Sequence, residues 1–198
     1  MKYLNKIREA LSGEGFPTFK IKDLKILLAS YGANGGYAYT LLHNMASKNE
    51  IRRITRGIYT FHDDVRVAGF AFAPFYYGLE DALAIKGFWE QGANPVIITP
   101  RKTRTGPRVF NGRNYMVHRI DKKHFFGFEL LKYGSFWIPV SDNEKTFIDF
   151  LYFRHYLRAD VLHELRKASD PRKIKGYLKM YDARFSQKVL GMLKAHGK

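Results

Sequence analysis

The sequence predicts an α+β fold in two parts. Residues 1–62 read as a small helical module closed by a tight hairpin, and residues 63–198 as a mixed α/β domain ending in helices. Three observations carry this. Before His62-Asp63-Asp64, apolar residues recur at helical spacing in three short runs, followed by two β-prone runs. Beyond that seam, longer aromatic-rich segments appear, together with an Asn111-Gly112 pair, the best short hairpin signal in the chain. From Asp142 onward only helix starts follow one another. A length of 198 residues suits one domain or two small ones, and 45% hydrophobic with 16% aromatic content supplies a core and argues against disorder.

The first part is built in order as follows. Tyr3, Leu4, Ile7 and Leu11 share one helical face, and Gly13 and Gly15 stop that helix. Phe16-Pro17-Thr18-Phe19 is extended. Ile21, Leu24, Ile26, Leu27 and Leu28 mark a second helix that ends at Tyr31-Gly32. Asn34-Gly35-Gly36 turns into a third helix over 36–48, with Ala38, Leu41, Leu42 and Met45 buried. Ile51–Thr55 and Ile58–Phe61 form the hairpin through Arg56-Gly57, and their imperfect alternation calls for a bulge. Helix, helix, turn, helix, hairpin is the order of a winged helix-turn-helix, in which the third helix enters the major groove and the hairpin touches the backbone or minor groove. The outward positions of that helix are Tyr37, Tyr39, Thr40, His43, Asn44, Ser47 and Lys48, and the hairpin carries Arg52, Arg53 and Arg56. The module holds 10 Lys+Arg against 4 Asp+Glu. Winged helices also serve as protein-docking modules, and a basic hairpin is sometimes only a solvated turn. The polar outer helix and the basic tip favour DNA.

In the second part, Gly69 to Tyr77 is aromatic and ends at Gly78. Leu79 to Gln91 is helical, Pro95 to Thr99 is a buried strand, and Tyr115 to Ile120 continues the Asn-Gly hairpin. Phe136 to Val140 is another strand. Ser141-Asp142-Asn143-Glu144 fits a capping box opening a helix through Tyr152, and Ala159–Ala168, Pro171–Tyr181 and Arg184–Ala195 complete the helices. Phe70, Phe72, Phe75, Phe125, Phe126, Phe128, Phe136 and Trp137 are read as core rather than as base-stacking residues.

Charge directs the functional reading. With 34 Lys+Arg against 18 Asp+Glu, the net charge of +16 favours a polyanionic partner, most often nucleic acid. Residues 101–124 hold eight cations and one acid, and Arg101, Lys102, Arg104, Arg108 and Arg113 form a secondary basic patch. The bland alternative is a solvated hairpin. From Arg154 onward there are 12 Lys+Arg against 4 Asp+Glu, another electrostatic face or an exposed flank. Zero Cys excludes disulfides, thiolate zinc sites and Cys nucleophiles. The opening Met1-Lys2-Tyr3-Leu4-Asn5-Lys6 does not look like a signal peptide, and the longest apolar stretch, Val67 to Tyr77, is too short for a bilayer, so a soluble cytoplasmic protein is expected.

Ordinary catalytic signatures have little support. A nuclease would gather acids beside a Lys around a metal ion, and Glu144, Lys145 and Asp149 invite that thought. Their spacing, among Phe147, Ile148, Phe150 and Leu151, favours capping and a buried ion pair instead. His43, His62, His118, His124, His155, His163 and His196 show no zincin spacing. There is no nucleophile elbow, and no phosphate loop with its Lys. Neither catalytic residues, a cofactor nor a metal is expected.

The hairpin stretch Glu50-Ile51-Arg52-Arg53-Ile54-Thr55-Arg56-Gly57-Ile58-Tyr59 resembles the wing of AbiEi-type antitoxins, the regulatory halves of type IV toxin–antitoxin systems. The same family's pattern continues with Pro74-Phe75-Tyr76-Tyr77-Gly78, Ala82-Leu83, Lys86-Gly87-Phe88 and Thr99-Pro100-Arg101. Glu144-Lys145-Thr146-Phe147-Ile148-Asp149-Phe150-Leu151 is its most recognisable stretch. One departure is Leu79-Glu80 where members often carry a small polar residue, which leaves the cap of that helix open. The resemblance implies a winged-helix autorepressor that binds double-stranded DNA at its own operator, as a monomer or with weak self-association on DNA. It also implies a second domain that counters a nucleotidyltransferase toxin without a stable complex. A metal-dependent nucleic-acid enzyme using Glu144 and Asp149, or a basic protein-docking module, are the alternatives.

Overall fold

A computed structural model of the chain describes residues 4–11, 17–89 and 92–194. Tyr3, the stop at Gly13 and Gly15, Phe16, Gln91, Ala195 and His196 lie outside the described residues. The described part is α+β, with helices and two sheets. The chain divides into two compact units. The first comprises Met1–Ala73 with Val109–Asn114 and Lys132–Trp137. The second comprises Pro74–Arg108, Tyr115–Leu131 and Ile138–Lys198. The seam read at 62–64 therefore lies inside the first unit, which runs on to Ala73 and takes in two later hairpin tips.

The first unit runs α1 (Leu4–Leu11), β1 (Phe19–Lys20), α2 (Ile21–Ser30), α3 (Tyr37–Ser47), β2 (Arg52–Thr55) and β3 (Ile58–Thr60). The three strands form an antiparallel sheet in the order β1-β3-β2, with Phe19 opposite Tyr59 and Arg53 also opposite Tyr59. The register shifts between Arg53 and Thr55, which is the bulge expected from the broken alternation. Gly57, with φ +78, makes the hairpin turn, and Gly32, with φ +73, ends α2 as Ala33 N–H returns to the Leu28 carbonyl. Ile7, Phe19, Leu24, Leu28, Ala38, Leu41, Leu42, Met45 and Ile51 form one buried core. The fully buried Thr60 hydroxyl donates to the Pro17 carbonyl at 2.6 Å, which fixes the last strand beside the first. Beyond the hairpin, Asp64 caps a run of 3-10 turns over Val65–Phe72 by accepting from Arg66 N–H at 2.8 Å.

A six-stranded mixed sheet is ordered β6-β7-β5-β4-β9-β8. Its strands are β4 (Tyr76–Tyr77), β5 (Val96–Thr99), β6 (Gly106–Phe110), β7 (Arg113–Arg119), β8 (Phe128–Tyr133) and β9 (Phe136–Ser141). β5 is parallel to β7 and antiparallel to β4, and β4 is parallel to β9. Asn111 and Gly112, with φ of 49 and 72, supply the left-handed pair that the Asn-Gly signal called for. The helices are α4 (Leu79–Ile85), α5 (Asn143–Tyr152), α6 (Ala159–Lys167), α7 (Pro171–Leu178) and α8 (Ala183–Lys194). α5 packs against α4, α6 and α7. The core of the second unit gathers Tyr76, Leu79, Leu83, Ile98, Phe147, Ile148, Leu165, Ile174 and Val189, among others.

The structure departs from the sequence expectations at several elements. The helix read over Leu79–Gln91 stops at Ile85, because Gly87 takes φ +77 and turns the chain. The helix read to Tyr181 stops at Leu178. The capping box read from Ser141 to Glu144 is displaced by one residue. Asp142 is the cap and accepts from Lys145 N–H at 2.7 Å, which frees the Glu144 carboxylate for another helix. Gly78 precedes α4 without a side-chain cap, and buried Leu79 is held at φ 54. A left-handed conformation there costs roughly 1–2 kcal/mol, offset by complete burial of the side chain. Phe128 and Trp137, read as core, are 39% and 50% exposed, whereas Phe72, Phe75 and Phe136 are buried. Among the described residues, no helix is long and apolar enough to cross a membrane.

Candidate nucleic-acid interface

The helical period sorts α3 into two faces. Ala38, Leu41, Leu42 and Met45 fall at intervals of three and four and are buried. Tyr37, Tyr39, Thr40, His43, Asn44, Ser47 and Lys48 are all exposed. That outer face is rich in hydrogen-bonding groups and carries no carboxylate. His43 Nδ1 lies 3.4 Å from the Ser47 hydroxyl, one turn on, so the two groups present a paired polar step. Lys25 of α2 adds a cation that sequence reading missed. Its Nζ sits 4.5 Å from the centre of the Tyr39 ring and 3.4 Å from the Tyr39 hydroxyl. The available signal was a pair of cations, Lys22 and Lys25, three residues apart on α2.

The three hairpin arginines divide. Arg56, at the turn, is exposed and has no hydrogen-bond or ion-pair partner among the described residues. Arg53 is exposed, with only a long 3.4 Å contact from Nε to the Thr55 carbonyl. Arg52 is spent within the unit. Its Nε pairs with Asp63 at 3.0 Å and its guanidinium also donates to the Asn49 carbonyl. Arg52 therefore braces the base of the hairpin, leaving Arg53 and Arg56 as outward cations.

The secondary patch is spread over several elements. Arg101, Lys102 and Arg104 lie exposed on the loop after β5. Arg108 is half-buried on β6, donating to the Thr103 hydroxyl and the Arg104 carbonyl, which stiffens that loop. Arg113 is exposed at the start of β7, in a tip that belongs to the first unit. Within the patch, Arg108 ties the loop that carries Arg101, Lys102 and Arg104 to β6.

Glu144, Lys145 and Asp149 are brought together as a brace. Lys145 and Asp149 are completely buried and form an ion pair one turn apart on α5. The buried Tyr76 hydroxyl donates to the other Asp149 oxygen at 2.7 Å, and Lys145 Nζ lies 5.4 Å from the Tyr76 ring and 5.5 Å from the Phe126 ring. Burial pushes the Lys145 ammonium down and the Asp149 carboxyl up, and their mutual attraction opposes both shifts. Gly127 is required beside them. It takes φ +72, and a Cβ there would meet Lys145 Cβ and Tyr177 Cε2 at 2.9 Å each. Glu144 accepts from Asp170 N–H at 2.8 Å and from Lys173 Nζ at 2.9 Å, so it anchors the start of α7. Lys173 also pairs with Asp142 at 3.1 Å, and the Tyr177 hydroxyl donates to Asp142 at 2.6 Å. Burial and the Asp142 carboxylate push the Tyr177 phenol up to about 12. No Asp149 oxygen faces solvent, and among the described residues no group of three or more His, Asp or Glu is placed to hold a metal ion.

Of the remaining histidines, His118 and His155 stand 5.2 Å apart, and His155 Nδ1 lies 3.2 Å from Glu80. Burial lowers the His118 pKa. His124 stacks on Tyr181 at 4.0 Å with Nε2 3.0 Å from the Met180 carbonyl, a packed position.

No family model and no curated sequence matches the chain. Among solved structures, the chain is similar to the crystal structure of the RV2827C protein from Mycobacterium tuberculosis. The TM-score is 0.61 at 12% identity, covering 91% of this chain and 72% of that one. At that identity the likeness speaks to the fold alone, and it agrees with the α+β class.

Proposed function

We propose that the first unit is a winged helix-turn-helix that binds double-stranded DNA, with α3 in the major groove and the β2–β3 hairpin on the backbone. The carrying observation is the clean division of α3: four apolar residues buried, and Tyr37, Tyr39, Thr40, His43, Asn44, Ser47 and Lys48 all exposed without a carboxylate among them. Lys25 over Tyr39, and the outward Arg53 and Arg56, add cations suited to phosphates. Tyr39, Thr40, His43 and Asn44 are assigned to base edges, with Asn44 suited to adenine by its paired donor and acceptor. The net charge of +16 supplies the long-range attraction.

The resemblance to AbiEi-type antitoxins extends this reading. The protein is a cytoplasmic, non-enzymatic autorepressor acting on its own operator. Its second domain opposes a nucleotidyltransferase toxin without a stable complex. The buried Lys145–Asp149 pair supports a structural rather than a catalytic role for the Glu144–Leu151 stretch.

The test is a salt titration of duplex binding by the protein and by Arg53→Ala/Arg56→Ala. Each phosphate contact adds about 0.9 to the slope of log affinity against log salt, so the variant should lose about two units of slope. An unchanged slope would remove the hairpin from the interface.

A further inference from the structure

The second unit carries a basic cleft, which is independent of the proposed DNA interface. β5 and β7 run parallel and are paired as far as Thr99 and Arg119. Beyond their carboxyl ends opens a cleft of about 760 Å³, lined by Pro100, Arg101, Lys102, Arg119, Ile120, Asp121 and Lys122. Four of those seven residues are cations. The one acid, Asp121, directs Oδ1 to the Lys123 amide at 3.1 Å, so part of its charge is already engaged in a turn. The cleft has a fixed base. Ile120 N–H donates to the Thr99 carbonyl at 3.0 Å. The Thr99 hydroxyl donates to the Pro74 carbonyl at 2.8 Å and accepts from Arg101 N–H at 3.2 Å. The two loops that carry the cations therefore spring from a rigid, buried junction, while Arg101, Lys102, Arg119 and Lys122 themselves remain exposed. Pro100 and Ile120 supply an apolar wall.

The crevice beyond the carboxyl ends of parallel strands is where open α/β sheets place small ligands. The volume lies within the range of small-molecule sites and is far below what a duplex occupies. A concave site with a net positive charge and an apolar wall focuses its field more strongly than a flat basic patch. We propose that this cleft binds the polyphosphate group of a ligand of nucleotide size. Arg101 and Arg119 clamp phosphate oxygens in the forked manner that guanidinium groups allow, and Lys102 and Lys122 neutralise the outer phosphates. The same chemistry is offered by an inorganic phosphate chain and by a nucleoside triphosphate.

The experiment uses the full chain, labelled with 15N, titrated separately with tripolyphosphate and ATP at moderate salt. Both probes should give saturable shifts centred on the amides of residues 99–102 and 119–122. Tighter binding of ATP than of tripolyphosphate identifies a nucleotide ligand, and equal binding identifies the phosphate chain alone. Lys102→Gln/Lys122→Gln should weaken both probes about tenfold or more, as expected for the loss of two charge-assisted contacts. Lys167→Gln/Lys175→Gln removes the same charge from exposed helix positions and should change neither affinity. Arg53→Ala/Arg56→Ala should also leave both unchanged, which separates this site from the proposed DNA interface. The proposal is overturned if shifts spread over the surface without saturating, if the two lysine pairs have equal effects, or if neither small probe binds while duplex DNA shifts these amides.

Discussion

Glu144 shows how far a side chain's role departs from its place in the sequence. It follows a helix cap and precedes a lysine, yet its carboxylate serves the start of α7 through the Asp170 amide and Lys173. Burial by itself would raise its pKa. The Asp170 amide and the Lys173 ammonium outweigh that and hold it below the usual carboxylate value. A carboxylate whose folded pKa is depressed contributes stability that is present above its unfolded value, about 4.3, and lost as pH falls through the lower folded value. Glu144→Gln should therefore be less stable than the parent in denaturant melts at neutral pH, and the gap should close in the acid range. A gap that is constant with pH would show that charge plays no part in the anchor. Arg52 makes the same point in the first unit. Its neighbours Arg53 and Arg56 made it look like a third outward cation, and only the turn after β3 brings Asp63 to within 3.0 Å of it.

At the scale of elements, periodicity decided what could be read. α3 carries four apolar residues at intervals of three and four, and its faces follow directly. The Asn111-Gly112 turn was legible because few residues other than glycine and asparagine take positive φ readily. β4 was not, since two buried tyrosines show no alternation, although this short strand lies within the sheet between β5 and β9. β8 escaped because it is an edge strand whose apolar residues stay largely open to solvent: Leu130 is exposed, and Phe128 stacks on Tyr76 with part of its ring uncovered. α5 was legible in extent, but the partner of its buried pair, Tyr76, comes from a strand 73 residues earlier. The energetics of that pair are testable. Lys145→Met or Asp149→Leu alone leaves one buried charge without its partner and should cost about 3–5 kcal/mol. The double variant should recover much of that loss, less about 1–3 kcal/mol for the Tyr76 hydroxyl left without an acceptor. Losses that simply add in a denaturant-unfolding cycle would show that the two groups do not stabilise each other.

For the whole molecule, the net charge of +16 pointed to a polyanion without saying where it binds. The fold separates three features that composition had merged. The outer face of α3 and the Arg53–Arg56 tip belong to the first unit, and the cleft at Arg101, Lys102, Arg119 and Lys122 belongs to the second. The cleft was not legible, because it depends on the parallel pairing of β5 with β7, which brings residues 99 and 119 side by side. In the proposed function, α3 reads sequence rather than charge. The most direct measurement is affinity for the duplex immediately upstream of the protein's own gene against a scrambled duplex of equal length, at low and at physiological salt. Binding to the upstream duplex should survive the added salt while binding to the scrambled one is lost. Equal, salt-sensitive binding to both would contradict it and reduce the interaction to the attraction of a basic surface for phosphate.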